Sequence, residues 1–234
     1  MKLSDMSRED LASKLLLSVI NYEENKERLM NFPFVIKGEF AVLSQLCVGE
    51  KNTEGQHTAC LTVTNDMLAQ MRITKDELFE FSKENSKALL PAVIQPVTKY
   101  MDGTEAIGIV MLPNGIDLSE IYVLTNEHHF NGAATIFYEP EILGVMAEEL
   151  NSEKIILLPS SINEIYCLPI RNAEDEQEYQ EIFGGLSDIL SDESLHIKSV
   201  LTYDNISGEI REMDGTTYEP ELVPVNVNRH MSGR

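Results

Sequence analysis

Tryptophan is absent from this chain of 234 residues, and cysteine occurs only three times. Basic residues are scarce as well: 18 lysines and arginines stand against 39 aspartates and glutamates, a formal net charge of -21. With no tryptophan and no cluster of basic and aromatic residues, the stacking platforms that hold single-stranded nucleic acid are not indicated. A field of this sign repels phosphate backbones and anionic lipid surfaces, which disfavours direct nucleic-acid binding and membrane association. It argues equally against a highly anionic substrate. What the acidity favours is solubility, a partner protein with a basic surface, or mimicry of nucleic acid.

Other absences narrow the chemistry. Neither G-x-x-x-x-G-K-[ST] nor G-x-G-x-x-G occurs, so nucleotide hydrolysis and dinucleotide redox chemistry lose their usual support and no cofactor is expected. No Cys-x-x-Cys occurs either. Cys47, Cys60 and Cys167 are odd in number and far apart, and are expected to be buried free thiols in a reducing compartment. His-Glu-x-x-His spacing and the calcium-loop pattern are missing, so no metal is expected, and His128-His129 reads as a surface or structural loop. The run Leu15-Leu16-Leu17-Ser18-Val19-Ile20 is too short to span a membrane. Glu9 and Asp10 ahead of it argue against a signal peptide, so a cytoplasmic protein is expected.

What is present is a folding sequence, 43% hydrophobic. Ser7 with Asp10 predicts a helix start, and Leu11, Leu15, Val19 and Tyr22 recur at helical spacing, which predicts a first helix reaching Tyr22. Residues 39–48 and 57–64 read as an antiparallel pair, with Ala59, Leu61 and Val63 on its packed face. Asn65 is expected to cap a short helix through Gln70. Thr74 and Glu77 form a capping-box signature for a helix that turns Leu78, Phe81 and Leu89 inward. A further short helix is expected over 92–100.

In the second half, 106–112 and 121–125 are β-like, and Asn131-Gly132 predicts a tight turn into a strand over 133–138. Pro140 suits the first turn of a helix to Leu150. Strands follow over 154–158 and 165–170, a helix from about Ala173 bent at Gly184-Gly185, and a hairpin around Asn205–Gly208. The mixture predicts an α+β fold, a single domain over 1–213 with mainly antiparallel sheet and packed helices. Its two subregions would be about 1–103 and 104–213. Residues 214–234 lose periodicity and are expected to be an irregular, mobile tail.

Three features could carry function. In Pro159-Ser160-Ser161-Ile162-Asn163-Glu164, Ser160 or Ser161 could be a hydrolase nucleophile, with Glu164 or His128 to activate it. The glycines of a nucleophile elbow are missing, and a polar turn explains the same residues. Glu174, Asp175, Glu176, Glu178 and Glu181 form an acidic patch that suits a helix start and could also dock a basic partner. The overall acidity supports a third reading, a DNA-mimic inhibitor of a restriction or defence nuclease. The balance leans away from an enzyme, toward an interaction or regulatory accessory protein.

A resemblance adds to this. Val19-Ile20-Asn21-Tyr22-Glu23-Glu24-Asn25, Ile73-Thr74-Lys75-Asp76-Glu77-Leu78 with Glu84-Asn85, and Tyr122-Val123-Leu124-Thr125-Asn126 with Gly132-Ala133-Ala134 come first. Leu158-Pro159-Ser160-Ser161-Ile162-Asn163-Glu164 and Leu190-Ser191-Asp192 follow. In this order they resemble an uncharacterised bacterial family, domain of unknown function 5688. The resemblance implies a shared fold and a setting among the cargo genes of mobile elements in Firmicutes, and no established activity. Two departures stand out: the family usually carries histidine where Asn163 stands, and an N-terminal portion common in relatives is expected to be missing.

Overall fold

The computed structural model describes residues 7–48, 59–102, 121–172 and 199–212, together with Tyr179, Leu195 and Ile197. Within these the fold is α+β, with two antiparallel sheets.

The first sheet is four-stranded. Strand β1 (Leu15–Asn21) pairs with one edge of β3 (Phe40–Cys47), while β2 (Phe34–Lys37) and β4 (Cys60–Thr62) share the other edge. The helix expected to reach Tyr22 is therefore a short one, α1 (Arg8–Ala12), followed by a strand. The reason lies in β1 itself. Its side chains are buried on both faces, in three different apolar clusters, so the run is apolar at nearly every position. A continuous apolar run satisfies a helical period as readily as a strand period, and burial on both sides decides for the strand. Asn21 ends β1 and caps α2 (Tyr22–Leu29), its side chain accepting from the Glu24 N–H at 2.9 Å.

The free edge of β1 is covered by α4 (Lys75–Leu89), which follows the short α3 (Asn65–Met71). The capping box of Thr74 and Glu77 forms as expected. Leu78 is buried and Phe81 half-buried, but Leu89 is exposed; the remaining buried positions of the helix are Ser82 and Ser86. Ser86 and Asn85 face the edge of β1, where backbone groups need partners more than they need apolar cover, while Ser82 donates within its own helix to Leu78 and meets the Ser44 hydroxyl of β3. The cap of α3 is Thr64 and not Asn65. In β4, Val63 is buried just past the strand, but Leu61 is exposed, contrary to the expected packed face.

The second sheet has six strands in the order β10-β9-β7-β8-β6-β5. These are β5 (Ala92–Pro96), β6 (Tyr122–Asn126), β7 (Lys154–Ser161), β8 (Glu164–Ile170), β9 (Leu201–Asp204) and β10 (Glu209–Glu212). Residues 92–96 are thus an edge strand and not a helix, with Pro96 at its end, where a missing N–H is tolerated. Only the following α5 (Val97–Asp102) is helical. The segment 133–138 is also not a strand: a 3₁₀ turn (Gly132–Ala134) runs into α6 (Thr135–Tyr138), and α7 (Glu141–Glu149) follows.

Sheet two is apolar on both faces. Ile155, Leu157, Ile165 and Cys167 join the core shared with Leu16, Leu17 and Val19 of β1, whereas Ile156, Leu158, Leu168 and Ile170 pack against Val97 and Tyr100 on the opposite face. Alternation along β8 sets Glu164 and Tyr166 on one face, and the β7–β8 register shifts between Pro159 and Ser161, at Ser160.

Cys47 and Cys60 stand directly opposite each other in the β3–β4 register and form a disulfide. Two of the three expected free thiols are therefore bonded. Cys167 alone is free, buried in the core, and its thiol is pushed far above the ordinary range by that burial.

Candidate functional site

The β7–β8 hairpin places Ser160 and Glu164 on one face of sheet two, where they meet. The Ser160 hydroxyl donates toward the Glu164 carboxylate at 3.3 Å and toward the Glu164 backbone oxygen at 3.4 Å. Tyr166, two residues along β8, donates to the same carboxylate oxygen at 3.4 Å, and Tyr100 of α5 donates to the other oxygen. One carboxylate thus receives three hydroxyls. The His129 ring stands edge-on to Tyr100, with ring centroids 5.2 Å apart.

Burial first, then the charge of Glu164, raises the Tyr166 phenol to about 12. Tyr100 is driven in the same direction by burial and by its bond to Glu164. Both phenols therefore keep their protons across the ordinary pH range and act as donors to the carboxylate.

The other residues singled out in the sequence are placed differently. The Ser161 hydroxyl accepts from the Asn163 N–H at 3.1 Å, closing the hairpin turn. His128 lies in the turn after β6, its backbone N–H donating to Asn126 Oδ1 at 3.1 Å. The acceptor facing Ser160 is thus the Glu164 carboxylate, and the imidazole of His129 touches the group through the Tyr100 ring. Tyr100 and Tyr166 were missed in the sequence, Tyr100 because it is 64 positions from Glu164, and His129 was read only as part of a surface or structural loop. Tyr166 could have been found from the two-residue strand period alone. Glu174, Asp175, Glu176, Glu178 and Glu181 lie outside the described residues, as does the strand expected over 106–112.

Behind the hairpin turn lies a polar knot between the two sheets. Asn131, buried and left-handed at φ 52, donates its backbone N–H to Asn163 Oδ1 at 3.1 Å. Its side chain accepts from Ser18 of β1 at 3.2 Å and donates to Gln45 of β3 at 3.0 Å. Thr125 donates to the Asn163 carbonyl at 2.7 Å, and the Ala133 N–H to Ile162 at 3.1 Å. Asn163, the position where a histidine was expected in relatives, therefore supports the turn that carries Ser160 and Glu164.

Among the described residues no group of three histidines, cysteines or acids could hold a metal ion. Among them, too, no helix is long and apolar enough to cross a membrane. No curated protein and no solved structure matches the chain. A family model does, over residues 2–193. That match covers most of the chain, and the chain belongs to this family of unknown function, DUF5688.

Proposed function

We propose that the protein acts by binding and not by covalent catalysis, as an acidic interaction or regulatory accessory protein whose partner presents a basic surface. The observation that supports this most is the closure of the Glu164 carboxylate by Tyr100, Tyr166 and Ser160, which gives the most reactive-looking group of the sequence a structural occupation. The net charge of -21 supplies the long-range attraction such a partner would feel. A bacterial mobile element, as the sequence resemblance implies, is the proposed setting. In a cytoplasmic location the Cys47–Cys60 bridge would face a reducing pool. The test is capture of a stoichiometric partner at low salt and its release at high salt. Neutralising Glu174, Asp175, Glu176 and Glu178 together is expected to weaken capture and leave the melting temperature in place; unchanged capture removes the patch from the reading.

A second reading, a hydrolase using Ser160, draws support from the hydroxyl's approach to Glu164. It requires substrate turnover that Ser160→Ala abolishes and Ser161→Ala retains, while both variants fold.

A further inference from the structure

A cleft of about 560 Å³ opens between the first sheet, α4, α6 and the β9–β10 hairpin. This lies within the size range of small-molecule sites. Its floor is built from core side chains, Leu17, Val42 and Ile136, and its walls from the half-buried Phe79, Phe137 and Ile210. Two lysines line the same space: Lys37 at the end of β2 and Lys83 on the exposed side of α4.

The lysines are the unexpected part. The chain carries more than two acids for every base, yet among the described residues neither Lys37 nor Lys83 makes an ion pair. Two acids also line the cleft, and among the described residues neither pairs with these lysines: Glu209 is bridged to Arg211, and Glu80 makes no ion pair with them. Glu141, bridged to Lys87, also feels the charge of Lys83, so Lys37 is the less compensated of the two cations. Burial and then the nearby Lys83 hold the Lys37 ammonium below its ordinary range, so the two cations act on each other. Like charges beside apolar surface are relieved by an anion placed between them. A monoanion with an apolar body satisfies both halves of this surface; an apolar cation would add a third like charge.

We infer that the cleft binds an amphipathic monocarboxylate, its acyl or aryl body seated against Leu17, Val42, Phe79 and Phe137 and its carboxylate held between Lys37 and Lys83. This site shares no lining residue with the Ser160–Glu164 group, and stands whether or not a basic partner exists.

The probe is dodecanoate, titrated calorimetrically into the full chain below its micelle concentration, with dodecan-1-ol and dodecylammonium as matched neutral and cationic chains. Dodecanoate is expected to bind saturably at one site per chain. Replacing both cations (Lys37→Gln with Lys83→Gln) is expected to weaken it by roughly tenfold or more, the scale of a lost charge-assisted contact, without changing dodecan-1-ol binding. The single variant Lys83→Gln, on an exposed position, provides the same readout should the double variant fold poorly. Phe79→Ser is expected to weaken both dodecanoate and dodecan-1-ol. Absence of saturable dodecanoate binding, equal affinity in the lysine variants, or dodecylammonium binding as tightly as dodecanoate would each overturn the assignment.

Discussion

A β-carbon placed on Gly132 would lie 2.0 Å from the Asn163 carbonyl oxygen and 2.5 Å from Thr125 Oγ1. The two backbones approach this closely because Thr125 and Ala133 both bond into the β7–β8 turn. The glycine after Asn131 thus serves a contact and not a hairpin: the positive φ belongs to Asn131, while Gly132 supplies the room.

Gly132→Ala is accordingly expected to destabilise the fold by about 3 kcal/mol, the upper range for overpacking against backbone that cannot yield. Relief would require the hairpin turn to move and its bonds from Thr125, Asn131 and Ala133 to stretch together. Urea unfolding of the variant checks this. A loss below about 0.5 kcal/mol, the range of an indifferent surface change, would mean that the turn shifts freely.

The Tyr166 phenol makes a prediction about alkaline pH. Its folded value, about 12, lies above the ordinary value of 10.0. The folded state therefore holds that proton more tightly than the unfolded state does. The resulting stability is fully present below pH 10 and is lost as pH rises through about 12. Urea midpoints measured across this window should fall with pH, and Tyr166→Phe should flatten part of the slope. An unchanged slope in Tyr166→Phe would place the alkaline transition elsewhere, with Tyr100 as the next phenol to replace.

Legibility in the sequence followed how local the causes were. The Thr74–Glu77 box, the Asn205–Gly208 hairpin and the β7 and β8 runs were readable because the residues that determine them lie within a few positions. β1 was not, since Leu15–Ile20 is buried on two faces by segments far along the chain, and periodicity inside the run carries no vote. The segment after Gly132 was misread because Asn131's left-handed backbone suits a hairpin and a 3₁₀ entry alike. At the site, Ser160 and Glu164 were found because a hairpin brings them together. Their closure by Tyr100 depended on α5 lying across the same sheet face, a tertiary fact.

The Cys47–Cys60 bridge closes a loop with a sequence separation of 13. Loop-closure entropy for that length corresponds to about 3 kcal/mol. Reductant is therefore expected to lower the melting temperature, and Cys47→Ala with Cys60→Ala to melt like the reduced protein, with no further response to reductant. Thiol labelling adds a second check. Oxidised native protein should label hardly at all, because Cys167 is buried and its thiolate is disfavoured. Oxidised unfolded protein should yield one thiol per chain, as the bridge leaves only Cys167. Three thiols without reductant would show that the bridge does not form.

The covered edge of β1 gives the sharpest separation between packing and hydrogen bonding. Asn85 donates to the carbonyls of Ala12 and Leu15 at 2.6 and 3.0 Å, and Ser86 accepts from the Leu17 N–H at 2.8 Å. Both side chains take the place a further strand would fill. Ser86 and Leu17 are buried, so Ser86→Ala leaves a backbone N–H without partner or water, and a loss of about 1–3 kcal/mol is expected. Ser86→Val, close in volume and better suited to an apolar site, should be no better, because the missing acceptor and not the missing volume sets the penalty. Amide exchange gives the local readout: in Ser86→Ala the Leu17 N–H should lose protection by more than Val19 does. If Ser86→Val restores wild-type stability, α4 holds β1 by apolar contact, and the hydroxyl is incidental.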